Sequence, residues 1–187
     1  MDPTQQLAVI LPMLTNIVGR IEPPQLDAPT ACAKFTVRGV LDHMVSGAAA
    51  FAPAFRGTEP NADVAPPPSP TDVHPAARFR AAMADLLDAV QSPGALTRIV
   101  NAPFGEVPGD VFARFVAFDG LIHGWDLASA TGQPYNPPEE LVAEIDAFAR
   151  QALAPAMRDG DTFAAETIAP RDAGPMARLV AFSGRRL

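Results

Sequence analysis

The stretch Phe112 to Ala130, FARFVAFDGLIHGWDLASA, constrains this chain more than any other. Pro108-Gly109-Asp110 precedes it and Gly132 follows it, so a proline and an acid mark its start and a glycine its end. Phe112, Phe115, Val116, Ile122 and Leu127 recur at helical spacing and define one apolar face. Asp119 and His123 sit in that face, four residues apart, with Cβ atoms about 5–6 Å apart on a helix. Asp126 follows on the same side. A carboxylate in a core-facing stripe is costly unless something pairs with it. An Asp four residues before a His can place one oxygen and one imidazole nitrogen on a single metal ion. A hydrogen-bonded core pair without metal has the same spacing, and both readings stand at this point.

The other segments read as helices that would pack around this one. Leu7, Ile10, Leu11, Leu14, Ile17, Val18 and Ile21 form a stripe over about residues 5–21, with Pro12 on its polar side and Pro23-Pro24 beyond. Thr36 is a plausible N-cap for a helix over 37–55, whose apolar face is Val37, Val40, Leu41, Met44, Val45, Ala48 and Phe51. His43 flanks that face beside Gly39, Gly47 and Ala50, small residues that leave room for a cavity or a close helix. Residues 57–72 form a long loop rich in proline. A third helix spans about 75–92, opened by Pro75, and residues 95–108 read as irregular with a short extended piece. Asn136 and the acidic pair Glu139-Glu140 announce a helix over 137–153, ended by Pro155 and Gly160. Residues 163–170 read as extended or irregular, and a short last helix begins near Pro175. The expected architecture is an all-α bundle, residues 1–160, with a C-terminal appendage, residues 161–187.

Composition removes several classes. Hydrophobic residues are 48% and charged residues 19%, a globular balance. Net charge is −7 and no basic run appears, which argues against a nucleic-acid partner. No apolar run reaches the roughly 18–20 residues of a membrane span. The N-terminus lacks the basic region of a signal peptide, so a cytoplasmic, soluble protein is expected. Cys32 is the only cysteine, so no intramolecular disulfide forms, and a free cysteine is most often simply buried.

Three histidines exist: His43, His74 and His123. His43 and His123 lie on different helices, each placed to face the interior. With Asp119 they make a two-His, one-carboxylate set suited to a divalent metal, Zn²⁺ first and Ni²⁺, Fe²⁺ or Mn²⁺ next. Three protein ligands leave positions open for water or substrate, and bundle cores commonly carry such sites. His43 taken alone reads equally as a satisfied interior histidine. His74 precedes Pro75 and reads as a loop or cap residue. Asp126 is a candidate acceptor for a histidine N–H or a solvated residue near the helix end. Trp125 points away from the ligand face and reads as packing. No phosphate-cradling glycine loop and no Gly-x-Ser-x-Gly is present.

At these residues the chain resembles the actinobacterial metal-binding branch of the DinB-like superfamily, which includes mycothiol-dependent maleylpyruvate isomerases. Pro29 through Val37 with Leu41-Asp42-His43 resembles the approach to the family's first ligand helix, with Phe35 at the usual tryptophan. Pro103 through Gly109 resembles the approach to the second. Asp119 through Gly132, DGLIHGWDLASATG, is the most specific match, and Asp172 through Arg185 resembles the closing segment. The resemblance implies a four-helix DinB-like bundle with long connections, and ligand roles for His43, Asp119 and His123. Many relatives have histidine or glutamate where this chain has the shorter Asp119. The larger isomerase relatives carry a separate C-terminal domain that contributes to catalysis, where this chain has a short tail. The resemblance implies a metal-assisted transferase or isomerase that uses a small-molecule thiol such as mycothiol on an electrophilic substrate. The competing expectations are a non-catalytic metal- or ligand-binding bundle, and a bundle acting through protein contacts as a homodimer.

Overall fold

The computed structural model describes residues 1–58, 75–158 and 163–187. Six helices and one small hairpin are found among them: α1 (Pro3–Val18), α2 (Val37–Arg56), α3 (Ala76–Gln91), β1 (Ile99–Ala102), β2 (Gly105–Pro108), α4 (Gly109–Thr131), α5 (Glu139–Ala152) and α6 (Pro175–Phe182). The all-α bundle expected from the sequence is the fold. Helices α1, α3, α2 and α4 pack in that cyclic order, α5 lies on α4, and α6 lies on α5.

Local chemistry explains the boundaries. Asp2 accepts from Gln5 N at 2.9 Å and Gln5 returns the bond to Asp2 N at 3.0 Å, a capping box that starts α1. The stripe in α1 continues to a buried Ile21, but the helix itself ends at Gly19, earlier than its apolar pattern suggests. Thr36 caps α2 through Gly39 N at 3.2 Å, as expected, and Gly57 closes it at φ +71°. Helix α5 begins two residues later than expected: Pro138, not Asn136, holds the N-cap position, and no side chain caps it. Pro75 likewise stands at the N-cap of α3 and not inside it. The connection before α4 is a regular antiparallel hairpin, with Ala102 paired to Gly105 across Pro103-Phe104. His74, Gly160 and most of the proline-rich loop lie outside the described residues.

Helix α4 differs from a one-faced helix. Besides the expected Phe112, Phe115, Ile122 and Leu127, the residues Ala113, Ala117, Phe118, Leu121 and Ala128 are also buried. The reason is position: α1, α2 and α5 all contact it. Gly120 lets α1 approach, because a Cβ there would lie 3.2 Å from Ile10 Cγ2, while Gly124 first makes room for Tyr135, whose Oη would lie 2.5 Å from an added Cβ, and then for Leu14 of α1 at 3.1 Å. This close packing fixes the rotation of α4 about its axis, and with it the direction in which Asp119 and His123 point.

The C-terminal segment is laced to the bundle. Two guanidinium groups lie over the Phe182 ring, Arg150 at 4.4 Å and Arg158 at 4.5 Å from its centre. Thr167 N donates to Ala181 O at 2.9 Å, and Arg158 Nη1 donates to Phe182 O at 3.0 Å.

Candidate metal centre

The cap at Thr36 sets the phase of α2, so Val37, Val40, Leu41 and Met44 enter the core and His43 stands at its edge. Its side chain is 41% exposed and faces α4. From α4 come Asp119, whose side chain is 43% exposed, and His123, at 4%. His43 Nε2 lies 3.7 Å from Asp119 Oδ2, and His123 Nε2 lies 3.4 Å from Asp119 Oδ1. One ligand atom from each of the three falls within 4.8 Å of the other two. The three side chains singled out in the sequence are thus brought together at a recess with one open edge.

The inner wall is buried and polar. Asp126 is fully buried and accepts from His123 Nδ1 at 2.9 Å. A carboxylate on Nδ1 favours a proton there, and Nε2, which faces Asp119 at 3.4 Å, is the nitrogen that can turn to a metal ion. On its far side Asp126 meets Arg185, with Nη2 3.1 Å from Oδ2 and Nε 3.4 Å from Oδ1. Asp126 is therefore the acceptor for a histidine N–H, and not a solvated residue near the helix end.

Phe35 closes one side. Its ring stacks on His43, with centroids 5.1 Å apart, and meets His123 edge-on at 6.1 Å. The room beside His43 is filled by aromatic rings instead of a cavity or another helix. A Cβ at Gly39 would lie 3.2 Å from Phe35 Cδ1, and one at Gly47 3.3 Å from Phe51 Cε2. Trp125 is half-buried and packs against the core, as expected. Cys32 is half-buried in the field of the cluster. Burial raises its thiol pKa, Arg185 opposes this, and Asp126 and Asp119 add to it. A thiol so held is protonated at neutral pH and is a poor nucleophile.

Charges in the recess are coupled. The adjacent Asp119 carboxylate raises the His43 pKa above its usual value, against the opposing effect of burial. Around Asp119, crowding by protein atoms favours the neutral acid, but His123 and His43, helped by Arg185, hold its carboxyl below the usual range. These directions set a pH dependence for the metal-free protein. A raised histidine pKa contributes stability that is complete below the unfolded value of about 6.5 and disappears as pH rises through the folded value. The stability difference between wild type and His43→Gln, followed by urea unfolding in chelator, should therefore be full well below about pH 6.5 and shrink as pH rises above it. A difference that stays constant over that rise would show that His43 and Asp119 are not coupled. Metal affinity should run the other way and fall as His43 protonates, because an imidazole ligand must be neutral.

Two site residues had little signal in the sequence. Phe35 stood out only as a departure from a tryptophan pattern. Arg185 stood out only as the last residue of the segment resembling the family's closing stretch, with nothing to indicate that it turns inward.

The fold and site thus define a helical bundle in which two histidines and an aspartate, from α2 and α4, converge as a possible three-point donor set. Residues 10–128 match the family described as mycothiol maleylpyruvate isomerase N-terminal domain, and the chain belongs to that DinB-like family. Two relatives, both named as uncharacterized proteins, come from Mycobacterium tuberculosis strains H37Rv and CDC 1551 / Oshkosh. Each is 33% identical over 186 residues, covering 99% of this chain and 98% of the relative. No solved structure matches the chain. No helix among the described residues is long and apolar enough to cross a membrane.

Proposed function

We propose that this chain binds a divalent metal ion through His43, Asp119 and His123 and uses it, with a small-molecule thiol of the mycothiol type, to transform a small electrophile by transfer or isomerisation. The observation that carries this reading is the convergence of three ligand atoms within 4.8 Å of one another. The donor chemistry fits. His123 has its Nδ1 engaged by Asp126, which leaves Nε2 as the nitrogen that can ligate an ion. Asp119 supplies an anionic oxygen within reach of both imidazoles. Two nitrogens and one oxygen suit Zn²⁺ first, with Ni²⁺, Fe²⁺ and Mn²⁺ as further candidates. When bound, the ion would supply Lewis acidity that lowers the pKa of a thiol.

The protein's own residues would have distinct tasks. His43 and Asp119, both partly exposed, form the face that a substrate meets. Phe35, packed on both histidines, limits the approach of water from its side. Cys32 is kept protonated, which favours a nucleophile from outside the chain. Family membership supports a mycothiol-related role for that nucleophile.

The test is elemental analysis of purified protein beside Asp119→Ala and His123→Ala, followed by thiol-dependent turnover assays. Close to one ion per wild-type chain is expected, with loss in both variants and no loss of fold by circular dichroism. Metal without thiol-dependent turnover would favour a non-catalytic binding module. No metal in the wild type, even when Zn²⁺, Ni²⁺ and Fe²⁺ are offered, would overturn the reading.

A further inference from the structure

The tail beyond α6 does something that the donor set alone does not require. It turns a charged side chain inward. Gly184 adopts φ +91°, a conformation that L side chains rarely adopt, and a Cβ there would lie 2.7 Å from Ala164 Cβ and 2.9 Å from Ala164 O. This turn sends Arg185 under the recess, where it is only 9% exposed. The Arg185 backbone is pinned at both of its polar groups. Thr167 Oγ1 donates to Arg185 O at 2.5 Å, and Arg185 N donates to Val180 O at 3.3 Å. The guanidinium then meets Asp126 at two points, Nη2 to Oδ2 and Nε to Oδ1, in the fork geometry that fixes a carboxylate's plane.

We infer that Arg185 is a positioning residue for the metal centre: by gripping both oxygens of Asp126 it fixes the orientation and tautomer of His123, and so delivers the Nε2 lone pair to the site. The shared atom is Asp126 Oδ2, which accepts from Arg185 and from His123 Nδ1. A carboxylate held by one partner can rotate, whereas one held at two points cannot. A buried ion pair is a poor device for stability, because apolar residues of similar shape commonly serve as well or better. Its place directly behind a histidine of the donor set gives it another use. The grip also draws electron density from Asp126, which makes His123 a less basic ligand and a bound ion more acidic. The matched family region ends at residue 128, so this support comes from a part of the chain outside it.

The inference rests on the metal-site reading, so the experiment separates the two. Full-length wild type, Arg185→Met and Arg185→Lys are compared by three measurements: Zn²⁺ affinity by chelator competition, the visible spectrum of the Co²⁺ form, and ¹⁵N shifts of labelled histidine in metal-free protein. Arg185→Met is expected to weaken Zn²⁺ binding about 10–100-fold, the usual effect of losing a partner behind a ligand. It should also change the Co²⁺ spectrum and convert the single His123 tautomer into a mixture. Arg185→Lys keeps the charge without the fork and should fall between the two. It decides the matter if the methionine variant does not fold. Wild-type affinity, spectrum and tautomer in the folded variants would overturn the inference alone. If wild type binds no metal, the functional reading falls, and the tautomer measurement still decides whether Arg185 orients His123.

Discussion

Asp126→Ala is expected to destabilise the protein by about 3 kcal/mol, the lower end of the cost of breaking a buried ion pair from one side. The carboxylate is fully buried and has two buried partners, so its removal strands the Arg185 guanidinium and the His123 Nδ1–H together. The cost has a ceiling, because Arg185 lies in the segment beyond α6 and can return to water if that segment undocks. Hydrogen exchange should therefore accelerate in residues 179–187 of the variant while the amides of α1 and α4 stay protected. The double variant Asp126→Ala/Arg185→Met removes the stranded charge and should recover part of the loss. A double variant as unstable as the sum of the singles would show that the two residues are not a unit. Metal affinity in Asp126→Ala should fall at least about tenfold, since His123 loses the partner that sets its tautomer.

Gly109→Ala is expected to cost about 3 kcal/mol or more, the upper end for overpacking, because the obstacle is backbone. Gly109 opens α4, and a Cβ there would overlap the carbonyl oxygen of Ala95 and sit 3.0 Å from its carbon and 3.2 Å from Leu96 Cα. That backbone cannot step aside freely. Gly109 N donates to Arg98 O at 2.8 Å and Asp110 N to Leu96 O at 2.9 Å, so the segment before the hairpin is tied to the start of α4. Gly174→Ala is the control: nothing lies within 4 Å of its added Cβ, and the change should stay within about 0.5 kcal/mol. Urea unfolding of both variants checks the contrast. A Gly109→Ala protein as stable as the control would mean that the hairpin and α4 are not locked together.

Much of the candidate site was legible before any fold was known. Asp119 and His123 are four apart on a helix whose ends are marked by Pro108-Gly109-Asp110 and Gly132, and that spacing alone stacks them one turn apart. His43 could be added because its helix has its own cap at Thr36, which fixes the phase of the residues that follow. Capping and periodicity are local, so the sequence carries them without help from the rest of the chain. Boundaries set by competition between signals were less legible. The apolar stripe of α1 runs past its true end at Gly19, because burial of Ile21 does not require that it be helical.

By itself, then, the sequence determined most of the helices and that Asp119 and His123 share one face of α4, since both follow from period and cap chemistry over a few residues. Only the tertiary structure decided which of those side chains meet. His43 and Asp119 are far apart in the chain, and their 3.7 Å approach depends on how α2 and α4 pack, which the glycines facing α1 help to set. Arg185 is likewise distant from its partner: it reaches Asp126 across 59 residues, through a turn at Gly184 that packs against Ala164. No local pattern encodes such a contact, because its energy comes from a buried partner that exists only after the bundle has formed.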